Sequence, residues 1–215
     1  MNSETLTIAV WALAIFLFIA QSLEHYQIYI KSSLSIKGTI AKGYNSAMKI
    51  MVVNRLFIVS YYFIFGFLID YGVAFREFVV PLIFSLFFLC IANLLMARRY
   101  RSTAIIDASE RVGNVWNTLS ISNAVATYFN LLGIIIPLLI ASILPEYRLT
   151  LSNSSFLFNT AFVLINVFVI ESRLAKLYDT RGDVVGATYS IMVVRTLSSV
   201  CAILTVGTLY VFIVF

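Results

Sequence analysis

A bilayer core about 30 Å thick is crossed by roughly 20 consecutive apolar residues in a helix. This sequence supplies such stretches six times, at about 6–30, 47–69, 78–97, 118–144, 149–170 and 188–215. Nothing else in the chain restricts its fold as strongly. Backbone N–H and C=O groups find no partner in hydrocarbon, so each stretch must satisfy its own as a helix. The expectation is an all-α, polytopic integral membrane protein, with six transmembrane helices forming one domain over residues 1–215. With 61% hydrophobic and 12% charged residues, too little polar sequence remains for a separate soluble domain.

The basic residues orient the bundle. Lys31, Lys37, Lys42 and Lys49 fall in or beside the first connection, Arg98, Arg99, Arg101 and Arg111 in the third, and Arg173, Lys176 and Arg181 in the fifth. The second and fourth connections hold Arg76 and Arg148. By the positive-inside rule the odd connections are cytoplasmic and both termini lie outside. Glu4 and the absence of Lys or Arg ahead of helix 1 argue against a cleavable signal peptide, so helix 1 is expected to be retained. The net charge of +5 is absorbed by this topology. No basic run interleaved with aromatics supports nucleic-acid binding. Pro137, four residues after Gly133, is expected to kink helix 4.

Catalysis finds little support. Cys90 and Cys201 lie inside apolar runs and read as small buried hydrophobes. One histidine and two isolated cysteines give no metal-ligand spacing. There is no nucleophile elbow, phosphate-cradling glycine loop or cofactor signature. The expectation is a transporter and not an enzyme, with no metal and no cofactor.

What stands out is polarity inside the membrane. Helix 5 carries Ser152, Asn153, Ser154, Ser155, Asn159, Thr160 and Asn166, and Asn159 and Asn166 are seven apart, hence on one face. Helix 4 carries a stripe of Asn114, Asn117, Ser120, Asn123, Thr127 and Asn130. Such amides avoid lipid, so the two helices either line a wet cavity open to the cytoplasm or hydrogen-bond to neighbouring helices. Arg55 and Arg195 lie one or two turns in from the cytoplasmic helix ends. They either form a cationic site for a lipid phosphate or pyrophosphate, or snorkel and pair internally. Glu24 is their natural partner, or a proton site. His25 is either structural or a group that titrates near neutral pH.

Several of these segments resemble the Amj family of bacterial lipid II flippases. Ser22-Leu23-Glu24 stands where the family has Ile-Glu-Thr, and Asn54-Arg55 where it has an arginine in its second helix. Pro145-Glu146-Tyr147-Arg148-Leu149-Thr150 resembles a Pro-Glu-x-Arg-x-Thr pattern. Ser155, Asn159 and Ile170-Glu171-Ser172-Arg173-Leu174 resemble a Ser-x-x-x-Asn helix ending in Ile-Asp-Pro-Lys-Leu, and Val194-Arg195-Thr196-Leu197 falls where the family has Ser-Arg-Leu. The match covers the two ends of the chain. The middle differs, and Glu171 and Ser172 replace the family's Asp and Pro.

The resemblance implies a multi-pass protein of the bacterial cytoplasmic (inner) membrane. It would flip an undecaprenyl-pyrophosphate-linked glycan from the cytoplasmic to the outer leaflet, or, in a diverged member, a related polyprenyl-linked saccharide. Arg55 and Arg195 would then meet the pyrophosphate, and Asn123, Thr127, Asn130, Asn159 and Asn166 would line the saccharide path. Glu24, His25, Glu146, Arg148 and Glu171 would gate or pair. The partners are the glycan lipid and membrane lipids, and a homodimer would thicken the wall around a large head group. Two other functions remain open at this point: a non-catalytic membrane subunit or scaffold of an envelope assembly, and a proton-coupled small-solute transporter using Glu24 and His25.

Overall fold

The computed structural model describes residues 3–107, 117–179 and 184–214. Every regular element among them is helical: α1 (Ser3–Ile36), α2 (Ile40–Asp70), α3 (Phe75–Asp107), α4 (Thr118–Ile143), α5 (Arg148–Ile165), α6 (Ser172–Asp179) and α7 (Val184–Val214). A 3-10 turn, Pro145–Tyr147, leads into α5, and a π-helical segment, Asn166–Glu171, joins α5 to α6 without a break in helical backbone. Six rods are long and apolar enough to cross a membrane. The chain is a polytopic, all-α membrane protein.

The helices outrun the apolar runs that announce them. Residues 31–36 continue α1, and α2 starts at Ile40, so the first basic connection shrinks to residues 37–39. The charged stretch expected to be a loop from Glu171 is helical through Asp179, and α7 begins at Val184. Lysine, arginine and glutamate are good helix formers, so charge ends the membrane-embedded segment but not the helix. Gly38 and Gly72, at φ +73° and +75°, make the tight reversals that antiparallel neighbours need. Asn117 caps α4 by accepting from the Ser120 backbone N–H, and the Ser120 hydroxyl accepts from the Asn117 N–H in return. Pro137 sits inside α4 and Pro81 inside α3, each removing one intrahelical hydrogen bond.

The rods pack in the order α2, α1, α3, α7, α4, α5, as an arc. Lighter contacts of α1 with α7 and of α2 with α4 curl it inward. Its two edges, α2 and α5, share no extensive interface among the described residues. At the basic end the arc is bridged by Lys31 of α1 and Glu171 of the π segment, 2.5 Å apart. Gly133 sets the fit of α4 on α5: a Cβ there would fall 2.9 Å from Phe158 Cγ and closer still to its Cβ.

The apolar interior is divided in two. One cluster fills the half toward the α2–α3 turn and includes Leu13, Leu17, Phe65, Phe78, Leu82, Leu131 and Leu138. The other fills the basic half and includes Ile28, Ala97, Leu119, Phe162, Ile170, Leu174 and Ile191. In five of the helices a polar residue marks the border: Gln21 and Glu24 in α1, Asn54 in α2, Asn93 in α3, Asn130 in α4 and Arg195 in α7.

Candidate functional site

The border residues form a polar belt across the bundle. Gln21, Glu24 and His25 stand at i, i+3 and i+4 on α1, so one helix face presents all three. Gln21, His25, Asn54, Asn93, Asn123, Thr127, Asn130 and Arg195 are buried, and Glu24 is partly so. Arg195 is the largest of the fully buried side chains, 1% exposed. Counted back to the helix starts, Arg195 and Arg55 lie about three and four turns from the basic end, and Glu24 about 18 Å from the end of α1. This is deeper than the one or two turns expected, because α2 and α7 begin earlier than their apolar runs.

The belt is bonded in part. Arg195 Nε donates to Asn123 Oδ1 at 2.9 Å, and Thr127 Oγ1 donates weakly to the same oxygen at 3.4 Å. His25 Nδ1 lies 2.5 Å from Asn93 Oδ1 and donates to it, tying α1 to α3. Glu24 neighbours the Asn130 side chain of α4, and Arg195 and Arg55 are the cations whose charge reaches it. Ser198 Oγ donates to the Ala124 carbonyl and joins α7 to α4. Arg55, on the edge helix α2, is exposed.

The rest of the belt's capacity is open. Both polar atoms of the Gln21 amide, His25 Nε2, Asn54 Oδ1, Asn93 Nδ2, Asn123 Nδ2, Asn130 Oδ1 and Arg195 Nη1 are buried without a hydrogen-bond partner. Each such group costs about 1–3 kcal/mol if left unsatisfied. Native interiors seldom carry so many together, and those that do reserve them for water, ions or substrate. The unpartnered atoms include both donors and acceptors.

A second polar group lies toward the basic end. The Ser32 hydroxyl bonds to Tyr178 at 2.9 Å and accepts from Thr188 at 2.7 Å, joining α1, α6 and α7. Lys31 also lies over the Tyr44 ring, 5.2 Å from its centroid. On the same side a cleft of about 470 Å³ is lined by Asn117, Thr118, Leu119, Arg173, Lys176, Leu177 and Ala187.

The structure thus brings Glu24, His25, Asn123, Thr127, Asn130 and Arg195 to one level, with Arg55 exposed on the edge helix α2. It does not bring Asn159 and Asn166 into the belt. Both are half-buried on the edge rod and neither hydrogen-bonds to it among the described residues, although Asn166 Oδ1 is buried and unpartnered. Glu146 is exposed at the far end of the bundle, and Glu171 pairs with Lys31. The Arg148 side chain, Asn114, Arg111 and Arg181 lie outside the described residues. Cys90 is buried as expected, but Cys201 faces outward. An apolar run in a membrane does not tell lipid from core. Sequence reasoning missed Gln21, Asn54 and Asn93. Their signal was available, since a lone amide in an otherwise apolar span points inward.

No family model matches the chain, and comparison with curated proteins and with solved structures yields no match either.

Proposed function

We propose that the chain is a flippase for a polyprenyl-pyrophosphate-linked glycan of the lipid II type, acting in the bacterial inner membrane. The observation that carries this reading is Arg195. Its guanidinium is buried at the level of a polar belt, held by one amide through Nε, with Nη1 open. A buried arginine with free donors, backed by Arg55 across Glu24, is suited to phosphoryl oxygens. Open amides around it suit a saccharide.

The arc supplies the other half of the argument. A lipid-linked head group must enter a polar interior while its tail stays in hydrocarbon, so it needs a lateral seam. The unpacked edges α2 and α5 offer one, with Arg55 exposed on α2. By the positive-inside rule the basic end, bridged by Lys31–Glu171, faces the cytoplasm. Loading from that side would require this bridge to open.

The test is a reconstituted flipping assay with a fluorescent polyprenyl-pyrophosphate saccharide, comparing wild type with Arg55→Ala/Arg195→Ala. Flipping by wild type and not by the variant is expected. Equal flipping by both would move the head-group site away from the belt. No flipping by correctly inserted wild type would reject the proposal.

A further inference from the structure

A cleft of about 450 Å³ opens between the start of α1 and the start of α3, at the end of the bundle away from the basic connections. Arg76 and Glu77, in the first turn of α3, both line it, and both are exposed. Successive residues of a helix do not face each other, so these two charges cannot close on one another as an i, i+4 pair would. Among the described residues neither is in an ion pair. The lip of the cleft therefore offers a guanidinium and a carboxylate side by side, each free for a ligand.

The rest of the wall is apolar. Val10 and Trp11 of α1 face Val80 and Pro81 of α3. Trp11 is positioned by Phe84, with ring centroids 5.6 Å apart. Phe84 is eight residues beyond Arg76, so it lies about 12 Å further along α3. Charges at the start of a membrane helix with an exposed tryptophan beneath them mark the head-group level of a bilayer. The cleft thus runs from that level into the hydrocarbon, polar at one end and greasy below.

A guest that satisfies all of this must carry an anion for Arg76, a cation for Glu77 and an apolar body. A soluble zwitterion lacks the body, and a lipid with one charge leaves one side chain unmatched. We propose that this cleft is a binding site for a zwitterionic phospholipid with a primary-ammonium head group, of the phosphatidylethanolamine class. The phosphate accepts hydrogen bonds from the Arg76 guanidinium, whose planar fork suits two phosphoryl oxygens. The ammonium donates to the Glu77 carboxylate, and the glycerol and upper acyl chains lie along Val10, Trp11, Val80 and Pro81. A choline head group carries the charge but has no N–H to donate. A glycerol head group keeps the phosphate and brings no cation, which leaves an anion beside Glu77. The site is remote from Arg195 and stands independently of the flippase reading.

The experiment titrates the purified, delipidated full chain with dioleoyl phosphatidylethanolamine, phosphatidylcholine and phosphatidylglycerol, and reads bound lipid by native mass spectrometry. Wild type should bind the ethanolamine lipid about tenfold or more tighter than either of the others, the worth of one hydrogen bond to a charged group. Glu77→Gln should weaken the ethanolamine lipid and strengthen the glycerol lipid, whereas Arg76→Gln should weaken both. Equal binding of the three lipids by wild type would overturn the proposal, as would an unchanged ethanolamine preference in Glu77→Gln. Displacement of the lipid by an equal concentration of soluble phosphoethanolamine would make the ligand a soluble zwitterion and overturn the lipid assignment. Both side chains are exposed, so the variants should insert as wild type does. Should one fail, the wild-type comparison decides alone.

Discussion

Replacing Arg195 with methionine separates a functional arginine from a structural one. Two substitutions break the same 2.9 Å bond between Arg195 Nε and Asn123 Oδ1. Asn123→Ala leaves the guanidinium buried with Nε as well as Nη1 unpartnered, at a cost of about 1–2 kcal/mol, within the range for hydrogen bonds between membrane helices and to charged groups. Arg195→Met removes the buried charge together with the bond and fills much of the space. Asn123 keeps its Thr127 contact. Its stability should change by no more than about 1 kcal/mol, as when buried charges give way to apolar side chains of similar size. The smaller deletion should therefore be the more damaging to the fold, while the larger one abolishes ligand binding. Thermal unfolding in nanodiscs, followed by tryptophan fluorescence, reads the first effect. Binding of a short-chain polyprenyl-pyrophosphate saccharide reads the second. A loss of roughly 3 kcal/mol or more in Arg195→Met, typical of a broken buried pair, would refute the reasoning, as would wild-type binding by that variant.

Two further outcomes are expected. Gly133→Ala should cost about 1–3 kcal/mol, because the new methyl meets the Cβ and Cγ of Phe158, which lie too near the backbone to swing aside. Unfolding midpoints should show the loss, and Gly133→Ala/Phe158→Gly should recover part of it. Reversing Lys31 or Glu171 singly should loosen the basic end by about 1 kcal/mol or less, since both side chains retain some exposure to screening solvent. Lys31→Glu/Glu171→Lys should restore it, read as protection of a cysteine placed at Ser32 from a polar thiol reagent.

Several site residues were legible before the fold was known, for a definable reason. Arg55, Arg195 and Glu24 are charges inside apolar spans, where desolvation forces them inward or to the interface. The stripe Asn123, Thr127 and Asn130 has helical spacing, so its common face followed from the chain alone. Asn159 and Asn166 share that spacing, but α5 is an edge rod. A face common to two residues does not say which neighbour that face meets. Asn93 was passed over because it is isolated in its own helix, and Gln21 because the charged Glu24 and His25 beside it drew the reading. They become significant only beside His25, Asn123 and Arg195.

The chain by itself determined that it would cross a membrane six times as helices. In hydrocarbon every backbone group must be satisfied within its own segment, so the apolar runs leave no other solution. It also determined which end is basic. Tertiary structure alone decided that the polar residues of five helices meet at one level between two apolar clusters, that α2 and α5 become the edges of an arc, and that Arg195 bonds to Asn123. The hydrophobic pattern is nearly uniform around these helices and cannot rank their possible neighbours. The choice falls to particular side-chain contacts, such as Gly133 against Phe158, Ser198 on the Ala124 carbonyl and His25 on Asn93.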